Sequence, residues 1–160
     1  MLSIQPLDES NIALTGIDPT VAFCLCQVPE VLANSDTAGV RERLHPDAMP
    51  HDPARNAEWH RLMDSELRHL FETARVTLES DLERFDPDRG EVVFPAAHVR
   101  AWMSAVNQAR IVLSEQHQLG ADDMQRVDFV DGSVRDAALL QVQVLGYVLQ
   151  VLIEHAAEGV

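Results

Sequence analysis

Residues 101–116 read AWMSAVNQARIVLSEQ. On a helical wheel at about 100° per residue, Trp102, Val106, Ala109 and Leu113 share one narrow sector, the mark of a helix with a buried face. Met103 and Arg110 lie at the edge of that sector, Asn107 lies further round, and Ile111 points almost opposite. A helix with apolar side chains on two sides belongs in the middle of a bundle, so the segment predicts an all-α fold built around it. It also predicts that Arg110 and Asn107 are partly buried. A guanidinium taken out of water needs an acid beside it.

A second long helix offers that acid. Asp52 followed by Pro53 is a cap-plus-proline start, and the apolar spacing runs on to about Leu82 through Trp59, Met63, Leu67, Leu70, Ala74 and Leu78. At 1.5 Å per residue the helix is about 45 Å long. Glu66 sits inside its apolar stripe, where an acid is out of place. Two misplaced, opposite charges on two long helices predict an inter-helix ion pair, Glu66 with Arg110. Asn107 would satisfy the remaining polar groups, and Asp136 is a second possible partner. Such a cluster more often fixes helix register than carries out chemistry.

From these two helices the rest of the chain falls into place. Residues 1–17 alternate loosely and predict a short β-hairpin. Asp18 and Pro19 open a helix that should bend or restart at Pro29. Residues 34–56, rich in Pro and Asp, read as a connector with one helical turn around Val40–Leu44. FDPDRGE ends the long helix, and VVFPAAHV leads through Pro95 into the central one, which should run to about Leu119 and stop at Gly120. ADDMQRVDFVDG reads as an acidic loop. The last helix runs from Ser133, its N-cap, to about Ala157, with Asp136 at the third position. The expectation is one domain, 1–160, of four to five helices with two long central ones.

The last helix bears on partners. Its polar strip is narrow (Asp136, Gln143, Gln150, Glu154), and apolar side chains occupy both flanks. Leu145, Leu149 and Leu152 suit the core. Leu140, Val144 and Val151 then need cover from a second helix or from another subunit, so a homodimer through this helix is expected. The uncharged run 137–153 is shorter than the ~20 residues that a bilayer core demands, and a buried helix is the reading preferred over a membrane span.

The 26 acids against 12 bases give a formal charge of −14. That surface repels phosphate backbones and argues against nucleic-acid binding. All 12 bases are Arg, scattered along the chain, which reads as compositional bias. Cys24 and Cys26, two apart on a helix, point about 200° from each other and cannot share a bridge or ligand. They are expected as buried free thiols, consistent with cytoplasm. No signal-peptide pattern opens the chain.

Catalytic signatures are lacking: there is no Gly-rich phosphate loop and no nucleophile elbow. Metal candidates are weak. Glu66 and His69 match one Glu-x-x-His element of di-iron bundles, but the required second copy does not occur. His60 and Asp64, at i and i+4, could share a divalent ion with His51 or Asp52, although a solvated pair is the plainer reading. The expectation is therefore a non-enzymatic interaction or regulatory protein without a cofactor. A metal-binding helical domain is the alternative.

LHPDAMPHDP with AEWHRL (Leu44, Pro46, Asp47, Asp52), AWMSAVNQARIVL (Trp102, Asn107, Arg110, Leu113) and LGYVLQVLIE together resemble an uncharacterised bacterial family. It is a domain of unknown function whose members are often encoded beside the ClpS adaptor of the Clp protease. The likeness spans most of residues 44–155. The chain departs from the family pattern at Ala48 and Val106, and in lacking a Gly after Leu113. The resemblance implies an all-helical cytoplasmic protein with a proteostasis-linked setting, and carries no established activity. Transcriptional-regulator labels on some members fit poorly with the charge of −14 here.

Overall fold

The computed structural model describes residues 1–126 and 132–159. A hairpin comes first, β1 (Ser3–Pro6) and β2 (Asn11–Thr15), antiparallel with Ser3 opposite Thr15 and Pro6 opposite Ile12. Its turn is tied by Asp8, whose Oδ1 accepts from the backbone N–H groups of Ser10 (2.8 Å) and Asn11 (2.9 Å). The helices are α1 (Pro19–Ala33), α2 (Ala38–Leu44), α3 (Pro53–Leu82), α4 (Val99–Gln116), α5 (Ala121–Met124) and α6 (Val134–Glu158). The caps act as expected. Asp18, Asp52 and Ser133 each accept a backbone N–H three residues on, at 2.8, 3.2 and 3.0 Å, contacts of about 1 kcal/mol apiece.

The all-α expectation needs correction. Val92–Pro95, read as a lead-in to the central helix, is a third strand, β3, pairing antiparallel with β2 (Leu14 opposite Val92, Asn11 opposite Pro95). Val92 and Phe94 are buried, as are Ile12, Ala13 and Leu14 of the middle strand. The small sheet thus caps the helical core and shares its apolar interior. Gly90 leads into β3 with φ +60, and its carbonyl accepts the Ile17 N–H at 2.9 Å. A Cβ at Gly90 would lie 2.8 Å from the Ile17 carbonyl oxygen, so the junction requires glycine.

One helix is central rather than two. α4 contacts α1, α2, α3 and α6 and buries Trp102, Ala105, Val106, Gln108, Ala109, Val112 and Leu113. α3 buries only Ala74, Leu78 and Asp81, all in its C-terminal part. The stripe expected to run its whole length is therefore half open, with Leu70 at 60% exposure. α1 runs through Pro29 without restarting. Burial of Val21, Cys24, Leu25 and Val28 along it outweighs the ~3 kcal/mol that an interior proline costs. α4 stops at Gln116, short of Leu119, because Gln118 turns into the left-handed region at φ 52. Of the expected acidic loop, Ala121–Met124 is a short helix, and 127–131 lie outside the described residues. Both cysteines are free, with Cys24 buried and Cys26 exposed. Burial, aided by the nearby Asp18 charge, pushes the Cys24 thiol up to about 11.

Candidate binding surface along α3 and α4

The expected ion pair does not form. Glu66 is exposed on the open half of α3, where its carboxylate stays hydrated. Arg110 is half-buried and directs Nε to the backbone carbonyl of Val142 on α6, at 3.2 Å. Asp136, the second candidate partner, is buried, but it pairs with Arg126 instead: Nη1 to Oδ1 at 3.1 Å and Nη2 to Oδ2 at 3.4 Å. Asn107 is exposed and lines two cavities rather than completing a buried cluster. The wheel held for Arg110, which is partly buried, and failed for Asn107 and Glu66, which are exposed. It could not show that α3 diverges from the bundle before it reaches position 66.

The buried acid that joins helices is Asp81, 1% exposed, at the end of α3. Its Oδ2 accepts from Trp102 Nε1 at 2.9 Å and lies 2.8 Å from His98 Nδ1. Oδ1 has no hydrogen-bond partner. Trp102 stacks on Phe94 with ring centroids 4.3 Å apart and planes 8° from parallel. This node therefore ties α3, β3 and α4 together. The sequence signal was faint, since Asp81 sits three after Leu78 on the apolar stripe, in a stretch dense with acids. Gln108 was missed for a like reason. It is 5% exposed and pairs Nε2 with Ser104 Oγ at 2.8 Å.

A second polar cluster pins the connector 45–52 to the open half of α3. His60 Nε2 lies 2.7 Å from Asp47 Oδ1, and Nδ1 lies 2.9 Å from Asp64 Oδ1. Asn56 Nδ2 donates to the same Asp47 oxygen at 2.9 Å, and His45 Nδ1 stands 3.4 Å from Asp64. Both His60 nitrogens therefore face carboxylates, the arrangement of a charged histidine rather than of a vacant ligand. Asp52 serves as the cap of α3, while His51 and His69 are exposed. Among the described residues no three His, Cys, Asp or Glu side chains are arranged to hold a metal ion.

Hydrogen bonding, first to Asp47 and then to Asp64, raises His60 above its ordinary 6.5. Bonding to His60 lowers both Asp47 and Asp64 below their ordinary 3.8. For His60 the stabilising share is complete below pH 6.5 and fades as pH rises through its elevated folded value. For the two acids it is present above 3.8 and fades as pH falls through their lowered values. Amide exchange at Met49, whose N–H donates to Asn56 Oδ1 at 3.2 Å, is expected to quicken, after correction for intrinsic base catalysis, as pH rises past the His60 titration. A His60→Gln variant should lose that pH dependence, and retention of it would assign the effect elsewhere.

Two cavities open along the outer side of α4. One, of about 640 Å³, lies among Leu44, Phe71, Met103, Ile111, Leu149 and Ile153. The other, of about 360 Å³, lies between α4, α5 and α6 and is lined by Arg43, Asn107, Arg110, Leu119, Met124 and Val142. Asn107 borders both. Residues 8–156 match the model of a domain of unknown function, DUF2017. The chain belongs to the DUF2017 family. No curated protein and no solved structure matches it. In this DUF2017 chain, Trp102, Asn107 and Arg110 of the quoted motif thus divide between a core anchor, Trp102, and a cavity wall, Asn107 and Arg110.

Proposed function

We propose that this protein is a non-enzymatic, intracellular helical protein that acts through protein–protein contacts, and that its first partner is a second copy of itself. The observation that carries the reading is the outer face of α6. Leu140 and Tyr147 stand 37% and 43% exposed, and Val144 and Val151 lie between and beyond them, partly buried. Spacings of four, three and four residues put these side chains on one ridge, the geometry by which helices pair. Residues 137–153 carry no charge. In a chain of net charge −14, this is where two copies approach with least repulsion.

α6 is long and apolar enough to cross a membrane by length and composition. The opposite face, Leu139, Val142, Leu145, Val148 and Leu152, is buried within the chain, which supports a core helix in a cytoplasmic protein. The charge of −14 weighs against a nucleic-acid partner. The resemblance to a bacterial family neighbouring the ClpS adaptor supports a proteostasis-linked setting. The metal-binding alternative through His60, Asp64 or His69 has less behind it, because two carboxylates already hold His60.

Sedimentation equilibrium of the full chain is expected to give a dimer at micromolar concentration. Leu140→Glu combined with Tyr147→Glu should give a folded monomer by circular dichroism, since each dimer would bury four added charges. A wild-type chain that stays monomeric at high micromolar concentration overturns the proposal. So does a dimer indifferent to the double substitution.

A further inference from the structure

We propose that Arg110 and Asn107 form the recognition pair of a site for a small carboxylate with a short apolar tail, seated in the cavity between α4, α5 and α6. The cavity has a volume of about 360 Å³, room enough for an acid of several carbons. Arg110 is half-buried, and burial lowers its pKa, with no acid among the described residues to offset the desolvation. The hydrogen bond from Nε to the Val142 carbonyl fixes the plane of the guanidinium. The four N–H groups on Nη1 and Nη2 then remain without an acceptor among the described residues, and they are open to the cavity rather than sealed in. A guanidinium held in this way presents the fork that matches a carboxylate bidentately.

Gly146 supports the same reading. It lies in the interior of α6, where glycine weakens a helix. A Cβ there would stand 3.2 Å from Arg110 Nη2 and 3.3 Å from Cζ and Nε. Its absence lets the guanidinium lie against the helix.

The remaining wall defines the ligand. Arg43 also lines the cavity but is paired with Glu115 at 3.0 Å, so among the described residues Arg110 is the unpaired cation of this wall. A singly charged anion fits that balance, and a phosphate would meet both the neighbouring Glu115 and the protein's overall negative charge. Asn107 can donate its amide to a carboxylate oxygen. Ile111, Leu119 and Met124 supply an apolar wall for the tail.

Calorimetric titration of the full chain with hexanoate, hexanamide and inorganic phosphate tests the site. Hexanoate is expected to bind one per chain at millimolar concentration or below and to shift the Arg110 Nε–H resonance, while hexanamide and phosphate do neither. Asn107→Asp changes an exposed residue and leaves the fold in place. It should weaken hexanoate at least about tenfold by setting a carboxylate against the ligand. Gly146→Ala should weaken it too by displacing the guanidinium, and Arg100→Gln, on an exposed arginine of α4, should leave it unchanged. Hexanamide binding as well as hexanoate, a preference for phosphate, no hexanoate binding at all, or no effect of Asn107→Asp would each overturn the assignment.

Discussion

Replacing Trp102 with alanine is expected to lower the free energy of unfolding by about 3–5 kcal/mol, the largest effect of any single side chain here. Three losses coincide. The indole is fully buried, so its removal leaves a hole that the surrounding helices cannot close. The stack on Phe94, at 4.3 Å between centroids, disappears, and with it the tie between β3 and α4. Asp81 Oδ2 also loses the Nε1 donor at 2.9 Å. Urea melts of wild type and variant measure the difference. Trp102→Phe keeps most of the stacking and forfeits the hydrogen bond, so it should cost about 1–3 kcal/mol. A loss under about 1 kcal/mol for Trp102→Ala would mean that the indole is not in the core.

Asp81→Ala comes second, at about 2–3 kcal/mol. The substitution orphans a buried indole N–H and removes the acceptor facing His98 Nδ1. The cost is moderated because Oδ1 has no partner in the native structure, so part of the desolvation penalty of the carboxylate vanishes with it. Asp81→Ala and Trp102→Phe break the same bond, and the double variant should therefore be less destabilised than the sum. The expected coupling is about 1 kcal/mol or more in a double-mutant cycle. Strict additivity would show that the two side chains do not act together.

Local signals made most of the helix placement legible. Asp18–Pro19, Asp52–Pro53 and Ser133 mark helix starts because a side-chain oxygen meets an N–H only three residues away. The stripe of Trp102, Val106, Ala109 and Leu113 is fully or almost fully buried, since a period of 3.6 residues is a property of one helix on its own. The hairpin at the start was readable for a similar reason: its two strands and its Asp8 turn lie within fifteen residues.

What failed depended on distant partners. Val92–Pro95 has no turn joining it to Asn11–Thr15, and only the closed fold brings those strands together. Glu66 lay on the correct stripe of α3, yet that stripe enters the core only from Ala74 onward, so the acid remained in water and Arg110 turned to a carbonyl on α6 instead. Asp81, one acid among many near the end of α3, became the buried one because Trp102 and His98 arrive there from elsewhere in the chain. Periodicity and capping act within a few residues and can be read from order alone. Which side of a helix is covered, over what length and by which partner depends on crossing angles and helix ends, which packing sets across the whole molecule.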